Sequence, residues 1–180
     1  APFLGPLAFS PDGAGLGFWE ARDDQGVLVR LDTTSGKRWK SHRPVSLQDG
    51  AAGVPHFSRD GKRMVATARG SDGSVLMLAT RGGCKAAADA KGWITAPQLA
   101  PNGREFAYVL YDELGDPPRS FAVRGKKRLG NAQDQAGFGR YSPDGKHYAY
   151  TVRKDGLAGL AAGCVGGLLP MPTVALRYTF

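Results

Sequence analysis

The side chains able to do chemistry are few, and their spacing limits what that chemistry is. Histidine occurs at His42, His56 and His147, and no two of these stand at the short intervals that metal ligation uses. His56 and His147 flank repeated turns within apolar segments, where packing accounts for them. Cys84 and Cys164 lie 80 residues apart with no C-x-x-C pattern, which excludes zinc, haem-attachment and thioredoxin motifs. A disulfide in an oxidising compartment and two separate buried thiols both remain open. No G-x-S-x-G nucleophile elbow is present. Asp23-Asp24 is too short for a calcium loop. Gly159, Gly163, Gly166 and Gly167 lack the G-x-x-x-x-G-K pattern and following helix of a phosphate cradle. Asp12, Asp60 and Asp144 occupy equivalent places in a repeat, which raises the idea of a carboxylate ring. Asn102 holds the fourth such place, and local side chain to backbone bonding is a task that Asn and Asp share. Each is therefore read as serving its own turn, and no catalytic residue, cofactor or metal site is expected.

Charge is the second source of chemistry. The net charge is +8, and two clusters supply much of it. One is Lys37, Arg38, Trp39, Lys40 and Arg43; the other is Arg124, Lys126, Lys127 and Arg128. They read as a patch for an acidic protein or for anionic lipid headgroups. The competing reading is a solvated sheet edge where lysine discourages strand pairing. The clusters are modest and not helical, so a nucleic-acid partner is disfavoured.

What positions these residues is a repeated turn. Phe9-Ser10-Pro11-Asp12-Gly13 returns as Phe57-Ser58-Arg59-Asp60-Gly61, as Leu99-Ala100-Pro101-Asn102-Gly103 and as Tyr141-Ser142-Pro143-Asp144-Gly145. The lead residues are 48, 42 and 42 positions apart. Pro presets the second position of a type I turn, Asp or Asn suits the third, and Gly takes the left-handed position after it. Such a unit joins two antiparallel strands, and a hairpin recurring at this period is the mark of propeller blades.

This phrase, followed by segments such as Lys146-His147-Tyr148-Ala149-Tyr150-Thr151, resembles the WD40-like (PD40) repeat of TolB-like propellers. The resemblance spans four copies and nearly the whole chain. It implies an all-β fold, a single β-propeller domain over 1–180 of four-stranded antiparallel blades, at approximately 1–46, 47–88, 89–130 and 131–180. It also implies a non-enzymatic protein-binding or scaffold role in a larger envelope or membrane-associated assembly, in a periplasmic or extracellular setting. The alternative is the accessory or substrate-gating propeller of a prolyl-oligopeptidase-like hydrolase whose catalytic domain lies elsewhere.

Within that frame Val27–Leu31, Glu105–Tyr111 and His147–Val152 read as strands. Cys84–Lys91, with Ala86-Ala87-Ala88, reads better as helix or loop. Glycines weaken any strand across Leu157–Leu169, and Val174–Phe180 returns to a strand pattern. Glycine and proline, 26 and 12 residues, sit at turns, which indicates many short strands rather than disorder. No run approaches about 18 apolar residues, so no transmembrane helix is expected. Four repeats leave three readings open: a compact four-bladed ring, an open array completed by a second chain, or part of a longer chain. Phe3, Leu4 and Leu7 at one end, and Leu168, Leu169, Tyr178 and Phe180 at the other, look in need of burial.

Overall fold

The computed structural model describes residues 3–23, 25–42, 44–47, 52–70, 73–112, 119–129, 135–154 and 157–164. Those residues are all-β, and they form four antiparallel sheets in chain order. The first runs β1 (Phe3–Phe9), β2 (Gly15–Arg22), β3 (Gln25–Asp32) and β4 (Arg38–Lys40), with β5 (Val45–Ser46) pairing the other end of β3. The second is β6 (His56–Phe57), β7 (Arg63–Gly70), β8 (Gly73–Thr80) and β9 (Gly83–Ala90). The third is β10 (Trp93–Leu99), β11 (Phe106–Asp112), β12 (Arg119–Arg124) and β13 (Lys127–Leu129). The fourth is β14 (Gln135–Tyr141), β15 (His147–Lys154) and β16 (Leu157–Cys164).

Each sheet packs on the next, and their first strands follow one another: β1 meets β6, β6 meets β10, and β10 meets β14. No comparable packing joins the fourth sheet to the first among the described residues. The result is an open array of propeller blades with inner strands β1, β6, β10 and β14.

Sandwiching explains why the middle strands are apolar on both faces. Alternate residues of a strand point to opposite sides. Met64, Ala66, Ala68 and Met77 pack toward Trp19 and Leu28 of the first sheet. Their neighbours Val65 and Leu76 pack toward Tyr108 and Val123 of the third. Ala107, Ala122 and Leu129 then meet Tyr148 and Tyr150 of the fourth. A single-faced alternation is absent because no single solvent face exists.

Two sequence expectations are corrected. The alanine-rich segment after Cys84 is the outer strand β9, paired with β8 from Thr80↔Gly83 to Ser74↔Ala90. Alanine's weak strand preference is overridden because Ala87, Ala88 and Ala90 pack on the second core, and strand preference follows packing context. The glycine-rich stretch forms β16 over Leu157–Cys164, in unbroken register with β15 from Lys154↔Leu157 to His147↔Cys164. Val174–Phe180, Leu168 and Leu169 lie outside the described residues.

Candidate protein-binding surfaces

The repeated turns share one geometry. The amides of Gly13, Gly61, Gly103 and Gly145 donate to the carbonyls of Ser10, Ser58, Ala100 and Ser142 at 2.9, 2.9, 2.7 and 2.9 Å. The four glycines have φ of 70, 65, 66 and 72°, a region that L side chains rarely occupy. Asp60 Oδ1 accepts from the Ser58 hydroxyl at 2.6 Å and the Lys62 amide at 3.1 Å. Asp12 and Asp144 make the same pair of contacts with Ser10 and Ala14, and with Ser142 and Lys146. Asn102 Oδ1 accepts from the Arg104 amide at 2.9 Å. The serine hydroxyls first, then the backbone amides, hold the three carboxyls below their ordinary 3.8. Pro11 and Pro143 are exposed and Pro101 is partly covered at the same step of the turn.

Arginines hook successive sheets together through these turns. Arg30 is 2% exposed, and its guanidinium donates to the Lys62 and Gly61 carbonyls of the next sheet at 2.7 and 2.8 Å. Arg63 Nη1 donates to the Gly103 carbonyl at 2.8 Å. Arg124 Nε donates to Glu105 Oε2 at 2.6 Å, and its Nη1 reaches the Lys146 carbonyl at 3.5 Å. Arg124 is thus buried in an ion pair and does not belong to a surface patch, which corrects the second basic cluster. A guanidinium suits the role because its fork of donors satisfies several carbonyls at once.

Lys126, Lys127 and Arg128 are exposed around the β12–β13 turn, with Arg128 over the Phe121 ring at 4.5 Å. In the first cluster, Arg38 and Lys40 both pair with Glu20, and Lys37 lies over the Trp39 ring at 5.3 Å. Trp39 is half-buried against the first core, so its ring is committed to packing. Arg43 lies outside the described residues. The clusters stand on the outer edges of the first and third sheets, and the second sheet packs between those sheets.

Sequence reasoning missed the inner strands' bulges. Register slips by one residue between Leu4 and Leu7, Thr95 and Gln98, and Ala136 and Gly139. In the second sheet the same slip separates the Ala52↔Ala68 bridge from His56↔Val65. A bulge re-aims side chains and is common beside binding sites. Here it leaves Val54 60% and Phe138 77% exposed, and Ala96 takes φ 47°. A Cβ on Gly53 or Gly137 would meet Thr67 Oγ1 at 2.3 Å or Thr151 Oγ1 at 2.4 Å. The signal was present: Gly5, Gly53 and Gly137 each stand eight residues before a turn glycine.

A cleft of about 420 Å³ opens between β6 and β10, lined by Val54, His56, Thr67, Ala96 and Pro97. Burial, and then the charge of Arg140 on β14, hold the His56 imidazole below its ordinary 6.5. Among the described residues no three or more His, Cys, Asp or Glu side chains gather as a metal site. Cys84 is a free, buried thiol whose pKa burial pushes to about 11. No helix among the described residues is long and apolar enough to cross a membrane.

Antiparallel sheets packed face to face, with their first strands in succession and a hairpin turn repeated in each, define part of a β-propeller. Its blades have a TolB-like fold. The chain is 32% identical over 66 residues to the Tol-Pal system protein TolB of Alcanivorax borkumensis, a match covering 35% of this chain and 15% of that protein. TolB from Acinetobacter baumannii superposes with a TM-score of 0.53 at 19% identity, over 93% of this chain and 42% of that one. Acylaminoacyl peptidase from Pyrococcus horikoshii superposes with a TM-score of 0.58 at 12% identity, over 97% of this chain and 33% of that one. The chain therefore spans less than half the length of each. No family model matches.

Proposed function

We infer that this chain is a non-enzymatic protein-binding propeller that works as a subunit of a larger envelope or membrane-associated assembly, in a periplasmic or extracellular compartment. The observation that carries this reading is the inner-strand surface. Val54 and Phe138 are 60 and 77% exposed at the bulges of the second and fourth inner edges, and Leu7 and Phe9 are 53 and 61% exposed on β1. Exposed apolar side chains held on a rigid scaffold are a usual mark of a protein contact. The weak sequence match to TolB supports the same reading. The likeness to acylaminoacyl peptidase is one of fold and favours no hydrolase-accessory role. The exposed Lys126, Lys127 and Arg128 make an acidic protein surface or anionic headgroups a secondary contact.

The test is photocrosslinking in cells with a benzophenone side chain at Phe138, compared with the same group at exposed Lys62. Discrete protein adducts at 138 and none at 62 are expected. Equal labelling at both positions, or none at 138, would overturn the reading. A serine hydrolase recovered at 138 would move the assignment to the accessory role.

A further inference from the structure

The outer strands of the sheets are not alike. β4 and β13 have three residues each, whereas β9 has eight. Edge strands expose unpaired backbone groups, and proteins blunt them by shortness, proline or charge. β9 is long and lacks proline; apart from Lys85 and Asp89 it consists of small residues: Gly83, Cys84, Ala86, Ala87, Ala88 and Ala90. Its inner side is paired with β8 at both ends, with one bulge at Ala87 between the Met77↔Ala86 and Leu76↔Ala88 pairs. On its other side a single parallel bridge joins Cys84 to Ser41. The chain then leaves this edge, and Val45–Ser46 pairs instead with β3. Among the described residues no strand pairs with β9 beyond that first rung.

Beside the same edge lies an open groove of about 630 Å³ between the first and second sheets. Val75, Met77 and Cys84 line it together with Val45 and Ser46 of β5 and Ala86 of β9. Val75, Met77 and Cys84 belong to the first core, so the groove reaches apolar atoms at its base. Lys85, Asp89 and Lys91 also line it; Asp89 pairs with Val75 on the trench face, and Lys85 pairs with Leu78 of the second core. An unfilled backbone edge and an apolar trench running together are what strand addition requires: the edge bonds the incoming backbone, and the trench takes alternate side chains.

We propose that β9 and this groove bind an extended peptide as an added strand. The peptide continues the pairing that Ser41 begins at Cys84, places small or β-branched apolar side chains in the trench, and carries an acidic flank toward Lys91 at its end. This surface is separate from the inner-strand contact proposed above and does not depend on it.

A fluorescein-labelled peptide of alternating valine and glutamate, seven residues long, serves as the probe in anisotropy titrations. Saturable binding is expected below about 1 mM, the range where weak strand addition remains measurable. The same peptide N-methylated at alternate amides, which removes the backbone donors, should bind about tenfold or more weakly. Ala86 is exposed, so Ala86→Trp fills the trench without burying a new group and should weaken the probe about tenfold with circular dichroism unchanged. A lysine-for-glutamate peptide should bind more weakly than the acidic one. Val54→Asp, in a protein that carries the benzophenone at 138, should leave probe binding unchanged while abolishing the crosslinks, so each surface can fail without the other. Slowed amide exchange at 86–90 on probe addition is the direct readout. Absence of saturable binding, equal binding of the N-methylated peptide, or an Ala86→Trp protein that binds as well as the parent would overturn the proposal.

Discussion

The first sheet has two faces made by the same strands, and they live in different surroundings. Trp19, Ala21 and Leu28 point toward the second sheet and are 0, 2 and 0% exposed. On the opposite face the register lines up Leu7, Phe18, Val29 and Lys40 in one row and Phe9, Leu16, Leu31 and Arg38 in another. Cross-strand neighbours of this kind share a face. Phe18 and Val29 are buried there, and among the described residues no further sheet packs on that face. Arg38 lies over the Phe18 ring at 5.7 Å, and Glu20 draws Arg38 and Lys40 together across the outer half of the face. Long charged side chains can cover apolar surface with their stems. Among the described residues the inner half has no such charged cover, and Leu7 and Phe9 are 53 and 61% exposed. A charged lid thus substitutes for a neighbouring blade only where the outer strand reaches.

The largest expected effects lie on the covered face. Trp19→Ala removes a fully buried indole whose Nε1 donates to the Gly53 carbonyl at 3.1 Å, and should cost about 3–5 kcal/mol in urea unfolding. Arg30→Met strands the Gly61 and Lys62 carbonyls at the boundary of two sheets and should cost about 2 kcal/mol. On the other face, Arg38→Ala should cost at most about 1 kcal/mol, since exposed ion pairs contribute little. If Arg38→Ala proves as damaging as Arg30→Met, the lid is itself structural and the contrast between the faces disappears.

The turns rank next. Gly61→Ala and Gly145→Ala should each cost about 1 kcal/mol or more, because both residues need positive φ. Gly61 should be the worse of the two: its Cβ would lie 3.0 Å from Asp12 Oδ1 of the adjoining turn, against 3.3 Å to Pro101 Cδ for Gly145. Equal or higher melting temperatures in both variants would contradict the turn assignment.

Smaller still is the response to acid, which separates the third turn from the others. The Asp12, Asp60 and Asp144 carboxyls titrate below 3.8 in the folded chain. The folded state therefore binds fewer protons than the unfolded one. The stabilisation is complete above 3.8 and is lost as pH falls through the folded values. Asn102 has no such proton to gain. Below pH 3.8 the amides of Ala14, Lys62 and Lys146, bonded to carboxylates, should therefore exchange sooner than that of Arg104, bonded to Asn102. Uniform exchange across the four turns would show that the carboxylates do not hold them.

Much of the fold could be read in the sequence because turn chemistry is local. Pro, Asp or Asn, and Gly each answer a backbone requirement within four residues, and the repeat multiplies the signal. The outer strand β9 could not be read that way, since Ala86-Ala87-Ala88 becomes a strand through its pairing with β8 and its packing on the third sheet. The glycines of β16 mislead for the same reason. The burial of Arg124 and the commitment of Trp39 to the core depend on which sheet lies opposite, and charge counting is blind to that. The bulges fall between these cases: the Gly5, Gly53 and Gly137 spacing is local, but its meaning depends on the Thr67 and Thr151 hydroxyls of the adjoining strands.

The smallest effect on stability and the largest on association should come from the open half of the outward face. Among the described residues no charged side chain lies over Leu7 or Phe9 as Arg38 lies over Phe18, and both are more than half exposed, so replacing both with Ser removes little that folding gains. Unfolding free energy should change by no more than about 0.5 kcal/mol, as at other exposed positions. Contiguous apolar surface is costly in water, at about 25 cal/mol per Å², so the parent chain is expected to find cover from another polypeptide rather than persist as a free monomer. Light scattering across a concentration series should show association for the parent and a shift toward monomer for Leu7→Ser/Phe9→Ser. A parent that stays monomeric at every concentration, with this strand open to proteolysis, would mean that the charged lid alone suffices to end the array. If instead the double variant loses several kcal/mol, Leu7 and Phe9 are already covered in solution, and the two faces of the first sheet are equivalent after all.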